Sequence, residues 1–187
     1  AGTEGQSKRV EAIEIKLVDK SVFKVAYISH VEDVGWQNWR YDGETAGTEG
    51  QSKRMEAIQI GFSNAPDGAK MRYKVHIQDI GWQDWKSDGQ VAGTEGQSKR
   101  MEAIQIELEN FEHYTIEYKV HIQDIGWTNW YRDREMAGTV GKGLRIEGIK
   151  IRIVSKYKKH YIGIDVSHWQ GDINYEKLVA SQKIDFM

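Results

Sequence analysis

What the chain lacks excludes several classes of protein. There is no cysteine among the 187 residues, so no disulfide framework, thiol nucleophile or cysteine-ligated zinc site is available. No run approaches the ~18 apolar residues of a membrane-spanning helix, and we expect no membrane span. The 26 basic and 28 acidic residues leave a net charge of −2, without the basic excess typical of nucleic-acid binding. We therefore expect no nucleic-acid partner.

An internal repeat of about 45 residues dominates the sequence that is there. The nonapeptide AGTEGQSKR occurs at 1–9, 46–54 and 92–100, and a degraded copy, AGTVGKGLR, stands at 137–145. Each copy runs into a segment such as MEAIQI in which apolar and polar residues alternate. An alternation of period two is typical of half-buried antiparallel strands, so the repeat predicts an all-β protein.

A second alternating segment in each unit leads into the motif D-x-G-W-x-x-W, at 33–39, 79–85 and 124–130. Counted from this motif, the chain holds three whole units, at about 26–62, 72–108 and 118–154, with 1–17 as the tail of a further unit. Three such units favour a closed pseudo-threefold domain over 1–154, β-prism-like or a β-trefoil. An open array of repeats is the third arrangement that the pattern allows.

The full pattern, H-x-x-D-x-G-W-x-x-W followed by AGT-x-G-x-x-x-R-x-E-x-I-x-I, resembles the ChW repeat, the clostridial hydrophobic repeat with a conserved tryptophan. The resemblance covers residues 1–154. It implies a module for attachment to the cell envelope, with bacterial cell-wall glycan or peptidoglycan as the partner. It also implies a protein that is secreted or wall-associated in a Gram-positive, clostridial setting, or one that a phage encodes and releases at lysis.

The last part of the chain has a different character. A basic segment at 155–160 is the predicted linker, and 161–187 has the pattern of a β-α-β start of a parallel domain. Within it, GIDVS at 163–167, QG at 170–171 and IDF at 184–186 resemble the opening of family 25 glycoside hydrolases, the muramidases. That resemblance implies the beginning of a modified β/α-barrel in which Asp165 lines the active site.

Glycoside hydrolysis needs two carboxyl groups across the scissile bond. The family's general acid lies in an Asp-x-Glu motif on a later strand, and no such strand follows before Met187. We therefore expect a wall-binding module of a lysozyme-type endolysin or autolysin whose catalytic domain is truncated, so that this chain is inactive. The alternative is a non-enzymatic surface adhesin or lectin-like repeat protein.

Two sets of recurring side chains are candidates for the binding site. Residues i and i+3 of an extended strand point to opposite faces, which predicts that one tryptophan of each pair is buried. We assign Trp36, Trp82 and Trp127 to the core, and we assign ligand contact to the trailing tryptophans, Trp39, Trp85 and Trp130.

The histidines that recur before the D-x-G-W motif are His30, His76 and His121. A metal site needs three or four converging ligands, and each unit supplies one histidine and one nearby aspartate. We interpret them as strand-end hydrogen-bonding groups, and we expect no metal and no cofactor.

Overall fold

The structure is a computed structural model that describes residues 23–64 and 67–156. The predictions for 1–17, for most of the linker and for 161–187, including Asp165, lie outside the described residues. The described residues form fifteen strands and no helix, which confirms the all-β prediction for the repeats. Among them there is accordingly no helix that is long and apolar enough to cross a membrane.

Each unit contributes two long strands and three strands of two residues. The first unit contains β1 (Lys24–Val31), β2 (Gly35–Trp36), β3 (Arg40–Tyr41), β4 (Ala46–Gly47) and β5 (Met55–Ser63). The second contains β6 (Lys70–Ile77), β7 (Gly81–Trp82), β8 (Lys86–Ser87), β9 (Ala92–Gly93) and β10 (Met101–Glu109). The third contains β11 (Tyr114–Ile122), β12 (Gly126–Trp127), β13 (Tyr131–Arg132), β14 (Ala137–Gly138) and β15 (Ile146–Ser155).

The strands form three five-stranded antiparallel sheets, one for each unit. In each sheet the two long strands pair with each other, and two short strands of the same unit pair with the first long strand. The fifth strand comes from another unit: β9 joins β5, β14 joins β10 and β4 joins β15. Because the first unit supplies a strand to the last, the three sheets form a closed ring and the open array is excluded.

One core lies between the three sheets. The alternating apolar residues of all six long strands point into it, and the largest fully buried side chains include Tyr27, Tyr73 and Tyr118. The three sheets are separate from one another in their strand pairing. Period-two alternation thus defines an inner face that forms the core and an outer face that is free for other contacts.

The short strands of the Ala-Gly-Thr motif approach the long strands with which they pair very closely. The φ angles of Gly47, Gly93 and Gly138 are 97°, 115° and 117°, in a region that favours glycine. A Cβ atom at any of the three would lie 2.3 Å from a backbone carbonyl oxygen of the strand beneath. The motif therefore requires glycine for both its backbone angle and its close approach.

Candidate ligand-binding surface

In the second and third units, the two tryptophans of the pair lie on the same, outer face of their sheet. In the second unit the Nζ atom of Lys74 is 5.0 Å from the ring centres of both Trp82 and Trp85. In the third unit Lys119 Nζ lies 5.2 Å and 5.1 Å from the rings of Trp127 and Trp130. None of the six tryptophans belongs to the core, so the prediction that Trp36, Trp82 and Trp127 are core residues is wrong.

The segment between the two tryptophans explains this error. It leaves the ladder after β2 and rejoins it at Arg40, so the rule for extended strands does not apply across 37–39. The glutamine in this segment anchors the short Ala-Gly strand of its own unit. The side-chain oxygen of Gln83 accepts a hydrogen bond from the Gly93 N–H at 2.7 Å, and its amide donates to the Gly93 carbonyl at 3.1 Å.

Gln37 holds Gly47 in the same way in the first unit. In the third unit the position is Thr128, whose hydroxyl accepts a hydrogen bond from the Val120 N–H instead. This structural role of the glutamine was not predicted from the sequence. Its only signal was the glutamine that follows the leading tryptophan in two of the three motifs.

Each recurring histidine lies between its leading tryptophan and a buried glutamate. The ring centres of His76 and Trp82 are 5.6 Å apart in an edge-to-face geometry, and His76 Nδ1 lies 3.1 Å from Glu102 Oε2. Arg100 Nε donates to the other oxygen of the same carboxylate at 2.9 Å. Equivalent clusters recur in the first and third units. Within the described residues no three potential ligands converge on a metal position.

The three outer faces differ in what covers the trailing tryptophan. At one cross-strand position the second unit has Arg72 opposite Glu107, and the third has Glu117 opposite Arg152. The Cζ atom of Arg72 lies 5.2 Å from the centre of the Trp85 ring, and that of Arg152 lies 4.0 Å from the Trp130 ring. Both rings are therefore covered by a guanidinium group, at a distance that favours cation–π attraction.

Further ion pairs hold these covering groups in place. Glu107 is buried and pairs with Arg72 and with Arg134. Glu117 pairs with Arg152 at 2.6 Å and with Arg132 at 2.9 Å. Burial tends to raise the pKa of Glu117, but the hydrogen bonds from the two arginines outweigh it and hold the pKa below its ordinary value. The carboxylate is thus ionised at neutral pH.

In the first unit the equivalent cross-strand position holds Ala26 opposite Gly61. Neither residue carries a side chain that could cover Trp39, which has 44% of its surface exposed. A pocket of about 460 Å³ lies at this cross-strand position and is lined by both Ala26 and Gly61. The residues lining it are Ala26, Trp39, Tyr41, Gly61, Phe62, Ser63, Ala69, Asp88 and Gly89.

Four segments of the chain match one protein family, described as Clostridial hydrophobic W (ChW). They are residues 1–19, 30–64, 76–110 and 121–155. Each of the last three begins at the recurring histidine and ends within one residue of the end of the unit's second long strand. Searches of curated proteins and of solved structures give no match.

Proposed function

The chain belongs to the ChW family, and from that membership we propose that it is a binding module for the bacterial cell wall. The ligand is the glycan of the wall, either peptidoglycan or another glycopolymer. The observation that carries this proposal is the placement of six paired tryptophans on the outer faces of a closed ring. Large aromatic side chains that do not contribute to the core are typical of interaction surfaces.

The proposed contacts are made by the trailing tryptophans Trp39, Trp85 and Trp130. A pyranose ring presents a flat face of C–H groups, which an aromatic ring covers while it excludes water from both surfaces. The leading tryptophans lie beside them, and Trp82 retains 36% of its surface exposed. Each unit therefore carries two aromatic rings outside the core.

The motif at 163–171 and 184–186 supports the further proposal that this module anchors a muramidase. Anchoring keeps an enzyme at its substrate and raises the effective substrate concentration. Asp165 is then an active-site carboxylate, acting on the glycosidic bond or positioning its partner. The protein is released to the wall of a clostridial, Gram-positive cell, either by secretion or by phage lysis. A surface adhesin that binds without cleaving is the alternative.

The proposal is tested by cosedimentation of the 187-residue chain with purified Gram-positive sacculi. We expect the chain to bind sacculi without clearing a turbid suspension of them. The triple substitution of Trp39, Trp85 and Trp130 by alanine is expected to weaken binding, by about 0.5–1.5 kcal/mol for each lost aromatic contact.

The matched control replaces Val34, Ile80 and Ile125 with alanine, because these residues are also exposed, apolar and present once per unit. Circular dichroism checks that both variants keep the β fold. Sedimentation of the tryptophan variant at the wild-type level would contradict the proposed contacts. In a protein that carries a complete family 25 domain, Asp165→Asn should abolish clearing and leave wall binding intact, whereas an adhesin would show no clearing to lose.

A further inference from the structure

The three units are not equivalent as binding sites, and we propose that the pocket of the first unit is the primary ligand site and takes an uncharged sugar ring. This inference rests on the proposed wall-binding function and specifies where and how the wall is recognised. It comes from comparing the same cross-strand position in the three sheets.

In the second and third units, basic side chains of the protein itself cover the trailing tryptophan rings. Arg72 and Lys74 both lie over Trp85, at 5.2 Å and 5.0 Å from its centre. Arg152 and Lys119 lie over Trp130, at 4.0 Å and 5.1 Å. A ligand that stacks on either ring must first displace a cation that is held by buried carboxylates.

In the first unit, a residue without a charge stands at each position that carries a covering group in the other two units. Ala26 and Gly61 stand at the positions of the arginine–glutamate pairs, and Ile28 stands at the position of Lys74 and Lys119. Trp39 consequently has no cation over its ring and forms one wall of the pocket. Because this pocket exists without any rearrangement, a ligand binds there at a lower cost than on the other two faces.

The lining of the pocket selects the chemistry of the ligand. Trp39, Tyr41 and Phe62 supply apolar ring surface, while Ser63 and Asp88 supply polar atoms. Among the described residues that line the pocket there is no lysine or arginine, so this lining offers no counter-charge to a phosphate group.

One oxygen of Asp88 accepts a hydrogen bond from the Met71 N–H at 2.9 Å. A carboxylate oxygen has further lone pairs, which can accept from a sugar hydroxyl. Asp88 is exposed, and an exposed carboxylate attracts a cation by no more than about 1 kcal/mol. The aromatic walls, and the oxygen atoms that can accept hydrogen bonds from sugar hydroxyls, therefore favour a neutral sugar over either a phosphate or an amine.

The test is to fill the pocket with the pair that the second unit already carries, by the double substitution Ala26→Arg and Gly61→Glu. A Cβ atom at Gly61 would meet its nearest neighbour, the Gly89 nitrogen, at an ordinary 3.5 Å, so the change is compatible with the fold. We expect affinity for sacculi to fall about tenfold or more while the circular dichroism spectrum and melting temperature stay near the wild type. The matched control adds the same two side chains at exposed positions of the third unit, Ile125→Arg and Met136→Glu, and should bind as the wild type does.

The ligand class is tested with sacculi from which the anionic wall polymers have been stripped, and with binding in about 1 M NaCl, where charge interactions are screened within ~3 Å. An uncharged sugar predicts that binding survives both treatments. Loss of binding after either treatment would identify a charged ligand and overturn the inference. Wild-type affinity of the pocket-filled variant would overturn the assignment of the pocket but leave wall binding standing, whereas failure of the wild type to bind sacculi at all would refute the proposed function.

Discussion

The Ala-Gly-Thr motif requires glycine at its second position because two backbones approach closely there. Gly93 lies in β9 against β5, and a Cβ atom on it would stand 2.3 Å from the Glu56 carbonyl oxygen and 2.5 Å from the Ala57 Cα. Neither neighbour is the end of a flexible side chain that can move aside. Gly96, three residues later, also has a positive φ, of 66°, but nothing lies within 4 Å of its Cβ position.

We expect Gly93→Ala to lower the free energy of unfolding by about 3 kcal/mol or more, because it combines backbone strain with a clash. Gly96→Ala introduces the backbone strain alone and should cost about 1–2 kcal/mol. Urea denaturation followed by circular dichroism measures both. Equal losses for the two variants would show that β9 can move away from β5.

One buried tyrosine of each unit links its sheet to a long strand of the neighbouring sheet. The hydroxyl of Tyr73 in β6 donates to the Gln90 carbonyl and accepts from the Ile60 N–H of β5 at 3.1 Å. Tyr118 does the same against Ile106 of β10. Tyr27 accepts from the Ile151 N–H, which links the first long strand of the ring to the last.

Removing one of these hydroxyls should weaken the contact between two sheets. Tyr73→Phe leaves a buried N–H without its acceptor and a carbonyl without its donor, which costs about 1–3 kcal/mol. Tyr131→Phe is the control, since this half-buried tyrosine lies outside the inter-sheet links, and its effect should stay within about 0.5 kcal/mol. Thermal and urea unfolding of both variants measure how much of the stability depends on the hydroxyl of Tyr73 and how much on its ring alone.

At the scale of the whole molecule, the three buried tyrosines make the ring sensitive to alkaline pH. Burial raises the pKa of Tyr73 to about 12, and it also raises the pKa values of Tyr27 and Tyr118. In the unfolded chain these groups release their protons near pH 10. The folded state therefore holds more protons than the unfolded state as the pH rises above 10, and alkali favours unfolding.

We expect the stability that the protonated tyrosines contribute to be fully present below about pH 10 and to be lost as the pH rises toward 12. Each tyrosine changes the free energy of unfolding by about 1.4 kcal/mol per pH unit in this range. Urea titrations at increasing pH, read together with the ultraviolet absorbance of tyrosinate, measure the effect. Ionisation of the three tyrosines near pH 10 in a chain that stays folded would contradict it.

Much of this architecture follows from the sequence because it depends on local spacing. The alternation in segments such as 101–108 places every second side chain on one face, and that period is a property of the extended backbone itself. The spacing of the repeats likewise defines three units, each with two long strands. The glycines and aspartates of the D-x-G turns adopt the positive φ values that these residue types tolerate, as at Asp79 and Gly81.

The binding surface could be predicted only in part. Tryptophans outside the core were expected, but their sharing of one face depends on where the chain leaves the ladder after Trp36, which no periodicity shows. The open pocket depends on Ala26 facing Gly61, two residues that are far apart in the chain and are brought together by the antiparallel register of β1 and β5. Aligning the outward positions of the three units would have shown their difference in charge, although not the cavity that results.

The all-β class, the number of units, the inner face of each long strand and the family can all be read from the sequence. These properties arise from the conformational preferences of short segments and from their repetition. Closure of the ring, through the pairing of β4 with β15, and the opening of one outer face while two are covered appear only in the folded molecule. Closure and cavity both depend on contacts between residues that are distant in the chain. The packing of three sheets around one core sets the distances between those residues.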